Sequence, residues 1–281
     1  MNSNRLSLLG FARKICQTGA ALLAVAIPTA AKARTLCTIV TDTASGVVLF
    51  ELGDCRTRVT PASTFKIALS VMGFDAGFLK DAHHPDFPYQ NGYADWGGAD
   101  WKQPTDPTRW LKYSVVWYSQ LMTHALGARR FQDYVAQFGY GNADVSGDPD
   151  RNDGLDRAWI GSSLKISPFE QTAFLSKLVT RQLPASQHAM AATSEIIETR
   201  PASDGWTLHG KTGTAFPRKP EGSNDIEHGY GWYVGWAVRD RRTLAFARLD
   251  QDESQHTTSA GLRARDALID EWPALAASFA R

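Results

Sequence analysis

Strand patterns occur at both ends of this 281-residue chain, and helical patterns lie between them. Short runs rich in β-branched and aromatic residues favour strands, and such runs occur at 36–41, 47–51, 206–210, 211–216, 230–238 and 243–249. Asp240-Arg241-Arg242 predicts a hairpin turn between the last two runs. One antiparallel sheet built from both termini is the simplest assembly for these runs. We therefore expect an α+β fold, in which this sheet has flanking helices and an inserted helical subdomain.

The middle of the chain carries most of the helical patterns. The positions of apolar residues predict helices at 63–78, 115–126, 130–138 and 168–180, and a last helix at 259–280. Ser167-Pro168-Phe169-Glu170 is a capping box with proline at the first helical position, which is a strong signal for a helix start. Residues 80–106 and 146–157 are rich in turn-forming residues and predict irregular segments. No repeat or linker divides residues 34–281, so we expect them to form one domain.

The first 33 residues have the pattern of a secretory signal peptide. Arg5, Arg13 and Lys14 precede an apolar run at 20–27, and Ala31-Lys32-Ala33 follows as a small-x-small cleavage pattern. The alternative is a buried helix. A signal peptide predicts export to the periplasm, with cleavage near Ala33 and no membrane anchor left afterwards. Cleavage there would change the net charge from +1 to −3, and no basic run indicates a nucleic-acid partner.

Cys37 and Cys55 are the two cysteines that remain after this cleavage. They flank a predicted hairpin whose turn is Thr43-Ala44-Ser45-Gly46. Exported proteins seldom keep unpaired thiols. We therefore predict a Cys37–Cys55 disulfide, with two buried free thiols as the alternative.

Ser63-Thr64-Phe65-Lys66 places a hydroxyl and an amine three residues apart at the start of a predicted helix. Residues at i and i+3 share a helix face, and a serine becomes a strong nucleophile when a neighbouring base takes its proton. The apolar residues that follow Lys66 favour an uncharged amine. A second Ser-x-x-Lys, Ser162 to Lys165, lacks those apolar followers, and we interpret it as a chance copy.

Two later segments could complete a site around this pair. Lys211-Thr212-Gly213 lies on a predicted strand and would point a cation and a hydroxyl into a cleft, with glycine allowing close approach of a ligand. Ser114-Val115-Val116 lies at the start of a predicted helix. A solvated edge strand and a simple helix cap are the structural alternatives.

In this order the three segments resemble the penicilloyl-serine transferase superfamily, and their details resemble class D β-lactamases of the oxacillinase type. Ser-Thr-Phe-Lys and Ser-x-Val both fit that class, and the valine stands where most relatives have a polar residue. The further matching segments are Tyr140-Gly141-Asn142, the segment around Trp159, and Gly231-Trp232-Tyr233-Val234-Gly235-Trp236. The resemblance covers essentially the whole of residues 34–281.

The resemblance implies hydrolysis of the β-lactam ring of penicillin-type antibiotics through an acyl-enzyme on Ser63. It implies that Lys66 reacts with CO2 or bicarbonate to become N6-carboxylysine, the general base, and that no bound cofactor is needed. Trp159 would donate its indole N–H to the carbamate, and Val116 would keep polar groups away from it. The oxyanion would lie between the backbone N–H groups of Ser63 and Thr214.

The resemblance also assigns roles to the second serine and to the strand motif. Ser114, with Lys211 nearby, would pass a proton to the leaving nitrogen. Thr212, Gly213 and Arg248 would bind the substrate, with Arg248 holding its carboxylate; a surface arginine is the alternative. We predict no metal site, because His83-His84 is the only histidine pair and has no second ligand cluster at the required spacing.

Two other functions share these motifs. A β-lactam sensor domain or a cell-wall DD-peptidase would be acylated in the same way but would deacylate slowly. The expected partner is a small-molecule β-lactam substrate. The sequence leaves open whether the protein is a monomer or a homodimer.

Overall fold

Six antiparallel strands form one sheet in the computed structural model, which describes residues 33–279. The strands are β1 (Arg34–Asp42), β2 (Val48–Gly53), β3 (Thr199–Pro201), β4 (Thr207–Ala215), β5 (Tyr230–Arg239) and β6 (Arg242–Gln251). Their order across the sheet is β2-β1-β6-β5-β4-β3. The N-terminal hairpin therefore joins the C-terminal strands through the β1–β6 pair, and the predicted α+β fold is confirmed.

Helices cover both faces of this sheet. In the described residues they are α1 (Lys66–Asp75), α2 (Pro107–Tyr113), α3 (Val116–Phe138), α4 (Gly154–Arg157), α5 (Pro168–Val179), α6 (Gln187–Ile196) and α7 (Ala260–Ser278). Trp272 and Leu268 of α7 pack with Phe246 in one apolar core. The other core holds α1, α3, α5 and α6 with the opposite side chains of the strands. The helical subdomain between β2 and β3 thus lies on the sheet face opposite α7.

The element boundaries differ from the predictions in several places. The two strands predicted at 206–210 and 211–216 are one strand, β4 (Thr207–Ala215), because Gly210 pairs with Gly235 without a break. The two helices predicted at 115–126 and 130–138 are the two halves of α3, which is interrupted at Gly127, where φ is +75° and ψ is +158°. Helices α2, α4 and α6 and strand β3 were not predicted from the sequence. Helix α2 has a clear start signal, since Asp106 caps the Arg109 N–H and Pro107 follows.

The predicted signal peptide, residues 1–33, lies outside the described residues except for Ala33. In the described part, the helices are either too short or too polar to cross a membrane.

The predicted disulfide is present. Cys37 on β1 and Cys55 just after β2 are bonded, with Cα atoms 5.1 Å apart and 18 residues of separation. Both cysteines are buried in the core beside α5. The bond closes the open end of the N-terminal hairpin, whose strand β2 is the edge of the sheet.

Arg248 does not lie where the resemblance implied. Its side chain is on the α7 face of β6, the side of Phe246, and only 5% of the residue is exposed. Nε donates to Asp250 (2.7 Å), and Nη2 donates to Thr35 Oγ1 (2.7 Å) and Glu271 (3.3 Å). Hydrogen bonds and charges from these carboxylates outweigh burial and raise the pKa of Arg248. Arg248 therefore ties β1, β6 and α7 together, which corrects its predicted contact with a substrate carboxylate.

We expect Arg248→Met to lower the free energy of unfolding by about 3 kcal/mol, because it leaves the buried Asp250 carboxylate without its partner. Urea denaturation of the purified variant measures this loss. The double variant Arg248→Met/Asp250→Leu should recover part of it, since no buried charge is then left unpaired. A substrate KM that rises tenfold or more while stability is unchanged, as a rough threshold, would return Arg248 to the site.

Candidate active site

Ser63 lies on a tight turn that leads directly into α1. Residues Ala62–Phe65 form a 3-10 turn, and α1 begins at Lys66. Ala62 has a φ of +51°, a left-handed conformation that strains a residue with a Cβ. The turn presents the half-buried Ser63 while Lys66 points inward, and Lys66 Nζ donates a hydrogen bond to Ser63 Oγ at 3.0 Å. A hydroxyl and a buried amine are thus in direct contact.

The Lys66 amine is fully buried. Burial lowers its pKa well below the ordinary lysine value, and the charge of Lys211 lowers it further. Burial disfavours the charged form of a lysine because water no longer solvates the ammonium. The amine is therefore suited to accept a proton from Ser63 or to react as a neutral nucleophile.

A second hydroxyl–amine pair faces the first. Ser114 takes a left-handed conformation (φ +56°) between α2 and α3, and its Oγ accepts a hydrogen bond from Lys211 Nζ. Lys211 also donates to the carbonyl of Thr212 at 3.1 Å. Burial lowers the pKa of Lys211 to about 8, with Glu198 opposing and Arg265 assisting that shift. This amine therefore changes charge within a range of pH that an enzyme experiences.

Trp159 lies behind Ser63 and is fully buried. The centroid of its ring is 5.7 Å from that of Phe65 and 6.2 Å from that of Phe131. Its indole Nε1 has no hydrogen-bond partner among the described residues. Buried indole N–H groups normally have a partner. Trp206 and Trp272 in the α7 core have unpaired indole N–H groups as well, but the Trp159 N–H is the one that packs against the Ser63–Lys66 segment.

The cleft above these residues has a volume of about 410 Å³. One wall is polar and contains Ser63, Ser114, Thr212, Gly213 and Thr214; the other is apolar and contains Val116, Ile160, Trp96, Trp101 and Phe216. A larger hollow of about 820 Å³ lies elsewhere, lined by charged residues such as Asp148 and Arg218, and Ser63 is not among its lining residues. The reactive side chains identify the smaller cleft as the site.

Gly213 brings β4 close to the nucleophile turn, the segment Ala62–Phe65 that carries Ser63. A Cβ at this position would lie 3.0 Å from Thr64 Cγ2 and 3.1 Å from the Pro61 carbonyl oxygen, tighter than ordinary van der Waals contact. The sequence predicts that this glycine allows a ligand to approach the strand closely. The geometry adds that the protein's own backbone needs the space, and a side chain here would push β4 away from Ser63.

The structure brings together most of the predicted site residues. Ser63, Ser114, Val116, Thr212, Gly213 and Thr214 line the cleft, with Lys66 and Lys211 hydrogen-bonded to its two serines. Trp159 packs behind the nucleophile turn, and Arg248 lies outside the cleft, on the α7 face of β6. The second Ser-x-x-Lys is outside the cleft, and its Lys165 is exposed.

Several cleft residues were not predicted from the sequence as site residues. Ser259, the N-cap of α7, lines the cleft, and its Oγ is 2.9 Å from Thr214 Oγ1. Ile160 and Phe216 lie on the apolar wall with Trp96 and Trp101, two tryptophans whose type favours a place in the core or in a cleft wall. The signal for Ser259 was only its position at a helix start, and Ile160 and Phe216 carry no motif.

The match to a protein family covers most of the chain. Residues 16–272 match the family model described as the penicillin binding protein transpeptidase domain. Because this match extends over most of the sequence, the chain belongs to that family.

Individual relatives identify the class within this family. β-Lactamase OXA-9 of Klebsiella pneumoniae is 39% identical over 239 residues, covering 85% of this chain and 87% of the relative. β-Lactamase OXA-1 of Escherichia coli is 36% identical over 202 residues, covering 70% and 68% respectively. The crystal structure of the OXA-427 class D β-lactamase superposes with a TM-score of 0.81 at 44% identity, covering 86% of this chain and 99% of that one. Within the transpeptidase family, this chain is therefore a member of the class D β-lactamases, which are hydrolases.

Proposed function

We propose that the protein hydrolyses the β-lactam ring of penicillin-type antibiotics through an acyl-enzyme on Ser63 and so gives antibiotic resistance. One observation carries this proposal: a fully buried lysine amine with a lowered pKa lies 3.0 Å from Ser63 Oγ, at the floor of a cleft. The relatives named as β-lactamases support the same reaction. We also propose export to the periplasm, which the pattern of residues 1–33 supports.

Acylation begins with proton removal from Ser63. The Lys66 side chain takes the proton, and Ser63 Oγ attacks the lactam carbonyl, which breaks the C–N bond of the ring. The backbone N–H groups of Ser63 and Thr214 stabilise the oxyanion, at a few kcal/mol per donor. Ser114 gives its proton to the departing nitrogen and regains one from Lys211. The hydrogen bond between Lys211 and Ser114 supports this relay.

The site fits a carboxylated lysine. A neutral amine is the form that reacts with CO2, and the product is an anion that needs hydrogen-bond donors when buried. Lys66 supplies such an amine, and Trp159 Nε1 is an unused donor in the same core. When CO2 is bound to Lys66, the carbamate oxygens would act as the general base in place of the amine nitrogen.

Substrate binding is proposed for the polar wall. A β-lactam antibiotic carries a carboxylate, and Lys211 and the Thr212 hydroxyl are the groups that would attract it from β4. The apolar wall would hold the acyl side chain. Because Arg248 is committed to Asp250 and Glu271, it has no part in this binding.

We expect purified protein to hydrolyse many equivalents of a chromogenic cephalosporin, and Ser63→Ala to abolish this turnover. Absorbance spectroscopy at known enzyme concentration counts the product per enzyme. Ser162→Ala is the matched control, since Ser162 begins the other Ser-x-x-Lys and should keep full activity. A single stoichiometric burst would instead indicate a sensor domain or a DD-peptidase.

We expect turnover to fall when bicarbonate is removed at low pH and to return when it is added. A protonated amine cannot hold CO2, so the general base is lost as pH decreases. Trp159→Phe keeps the ring and removes the N–H, and it should raise the bicarbonate concentration for half-maximal activity roughly tenfold, the effect of one lost charge-assisted hydrogen bond. Carbon-13 NMR with labelled bicarbonate should show a carbamate signal that Lys66→Ala removes. Turnover indifferent to bicarbonate would contradict this base.

We expect kcat/KM for an anionic lactam to decrease above a pH of about 8, where Lys211 loses its proton. Loss of the ammonium removes both the attraction for the substrate carboxylate and the proton donor to Ser114. Lys211→Arg should shift this alkaline limb upward by two pH units or more, because a guanidinium keeps its charge to about pH 12. If the alkaline limb of the kcat/KM profile does not move in Lys211→Arg, a group other than Lys211 causes the decrease.

A further inference from the structure

Thr60 lies three residues before Ser63, and its side chain contacts the segment that carries Trp159. Its Oγ1 donates a hydrogen bond to the Trp159 carbonyl oxygen (3.0 Å) and accepts one from the Gly161 N–H (3.0 Å). A hydroxyl has one hydrogen to donate and lone pairs to accept. One side chain therefore satisfies the peptide groups on both sides of Ile160. The residue is 7% exposed, so these bonds form away from bulk water.

Other contacts hold Thr60 itself. The indole Nε1 of Trp232 on β5 donates to the Thr60 carbonyl at 2.9 Å. The preceding residue, Val59, exchanges two backbone hydrogen bonds with Ile166, at 3.1 and 2.9 Å. The chain that leads to Ser63 is thus fixed both to the sheet and to the segment that follows Trp159. Thr60 therefore fixes the position of the segment that follows Trp159 relative to the sheet.

The direction of the Trp159 indole N–H depends on how the backbone around it is held. Its indole packs against Phe65 and Phe131, but its N–H bonds to no group of the described protein. Backbone anchors and ring packing therefore decide where this N–H points. A misplacement of about 1 Å near reacting groups can cost on the order of 100-fold in rate.

We propose that Thr60 is a positioning residue for deacylation, which acts by fixing the Trp159 indole N–H relative to Lys66. This inference rests on the proposed function, in which Trp159 holds the carboxylated Lys66. Deacylation is the more sensitive half of the reaction. Ser63 Oγ belongs to the chain and already lies 3.0 Å from Lys66 Nζ, whereas the attacking water is a free molecule that the base must orient.

Thr60→Val tests the proposal, because it keeps the shape of the side chain and removes the hydroxyl. We expect its acylation rate constant to stay within about twofold of wild type, its deacylation rate constant to fall roughly tenfold, and its half-saturating bicarbonate concentration to rise by a similar factor. Stopped-flow acylation and single-turnover deacylation, measured across a bicarbonate series, provide the three values. Thr60→Ser keeps the hydroxyl and should restore all three.

Thr60→Ser and Thr60→Ala form a second matched pair, which differ only in the hydroxyl and serve if the valine variant fails to fold. A lower melting temperature with unchanged deacylation and bicarbonate dependence would make Thr60 purely structural and overturn the proposal. Equal deacylation in the serine and alanine variants would also overturn it. If the wild type does not respond to bicarbonate, the carboxylated lysine of the proposed function fails. The deacylation ratio of the matched variants then decides on Thr60 alone.

Discussion

The desolvation of one amine, that of Lys66, is the constraint on which the site depends. Burial favours the neutral form of this amine, and that form can act as a base for Ser63 or as a nucleophile toward CO2. The same burial has a cost in stability. The folded chain binds fewer protons at Lys66 than the unfolded chain, so this cost is largest at low pH and falls as pH rises toward about 10.4, the pKa of an unfolded lysine. The rest of the fold must offset that cost.

The Lys66 amine is buried because strand β4 packs against the nucleophile turn. Strand β4 lies against the nucleophile turn at Gly213, where only a residue without a side chain fits without displacement. The left-handed Ala62 then directs Ser63 toward the cleft and starts α1 at Lys66, inside the core. Both halves of the sheet are needed, because the turn follows the N-terminal hairpin and β4 belongs to the C-terminal strands. The sheet built from both termini is thus a requirement of the site.

Local patterns allowed much of this to be predicted from the sequence. The hairpin and its disulfide, the strand Tyr230–Arg239, the capping box of α5 and the Ser-x-x-Lys pair all depend on residues close together in the chain. Thr60 was missed because its hydroxyl bonds to residues about 100 positions away, and no local pattern signals such a partner.

The wrong prediction for Arg248 has a different cause. In β6, Phe246, Arg248 and Asp250 alternate with Ala245, Ala247 and Leu249, and alternate residues of a strand face opposite sides of a sheet. Ala247 and Leu249 pack in the core of the helical subdomain, whereas Phe246 packs against α7. Arg248 is held on the α7 face by Asp250, Thr35 and Glu271, and β6 is separated from β4 by β5. The resemblance supplied a residue type, but these contacts keep that side chain away from the cleft.

The two buried lysines define the conditions under which the site can work. Burial and the Lys211 charge both lower the pKa of Lys66, whereas Glu198 partly supports the charge of Lys211. Both causes at Lys66 thus favour its neutral form, whereas one cause at Lys211 favours its charged form. A neutral Lys66 beside a charged Lys211 is the combination that a base and an anion-binding proton donor require. Each lysine helps to hold the other in its role, because the charge on Lys211 favours a neutral Lys66 and a neutral Lys66 leaves Lys211 without a repelling neighbour.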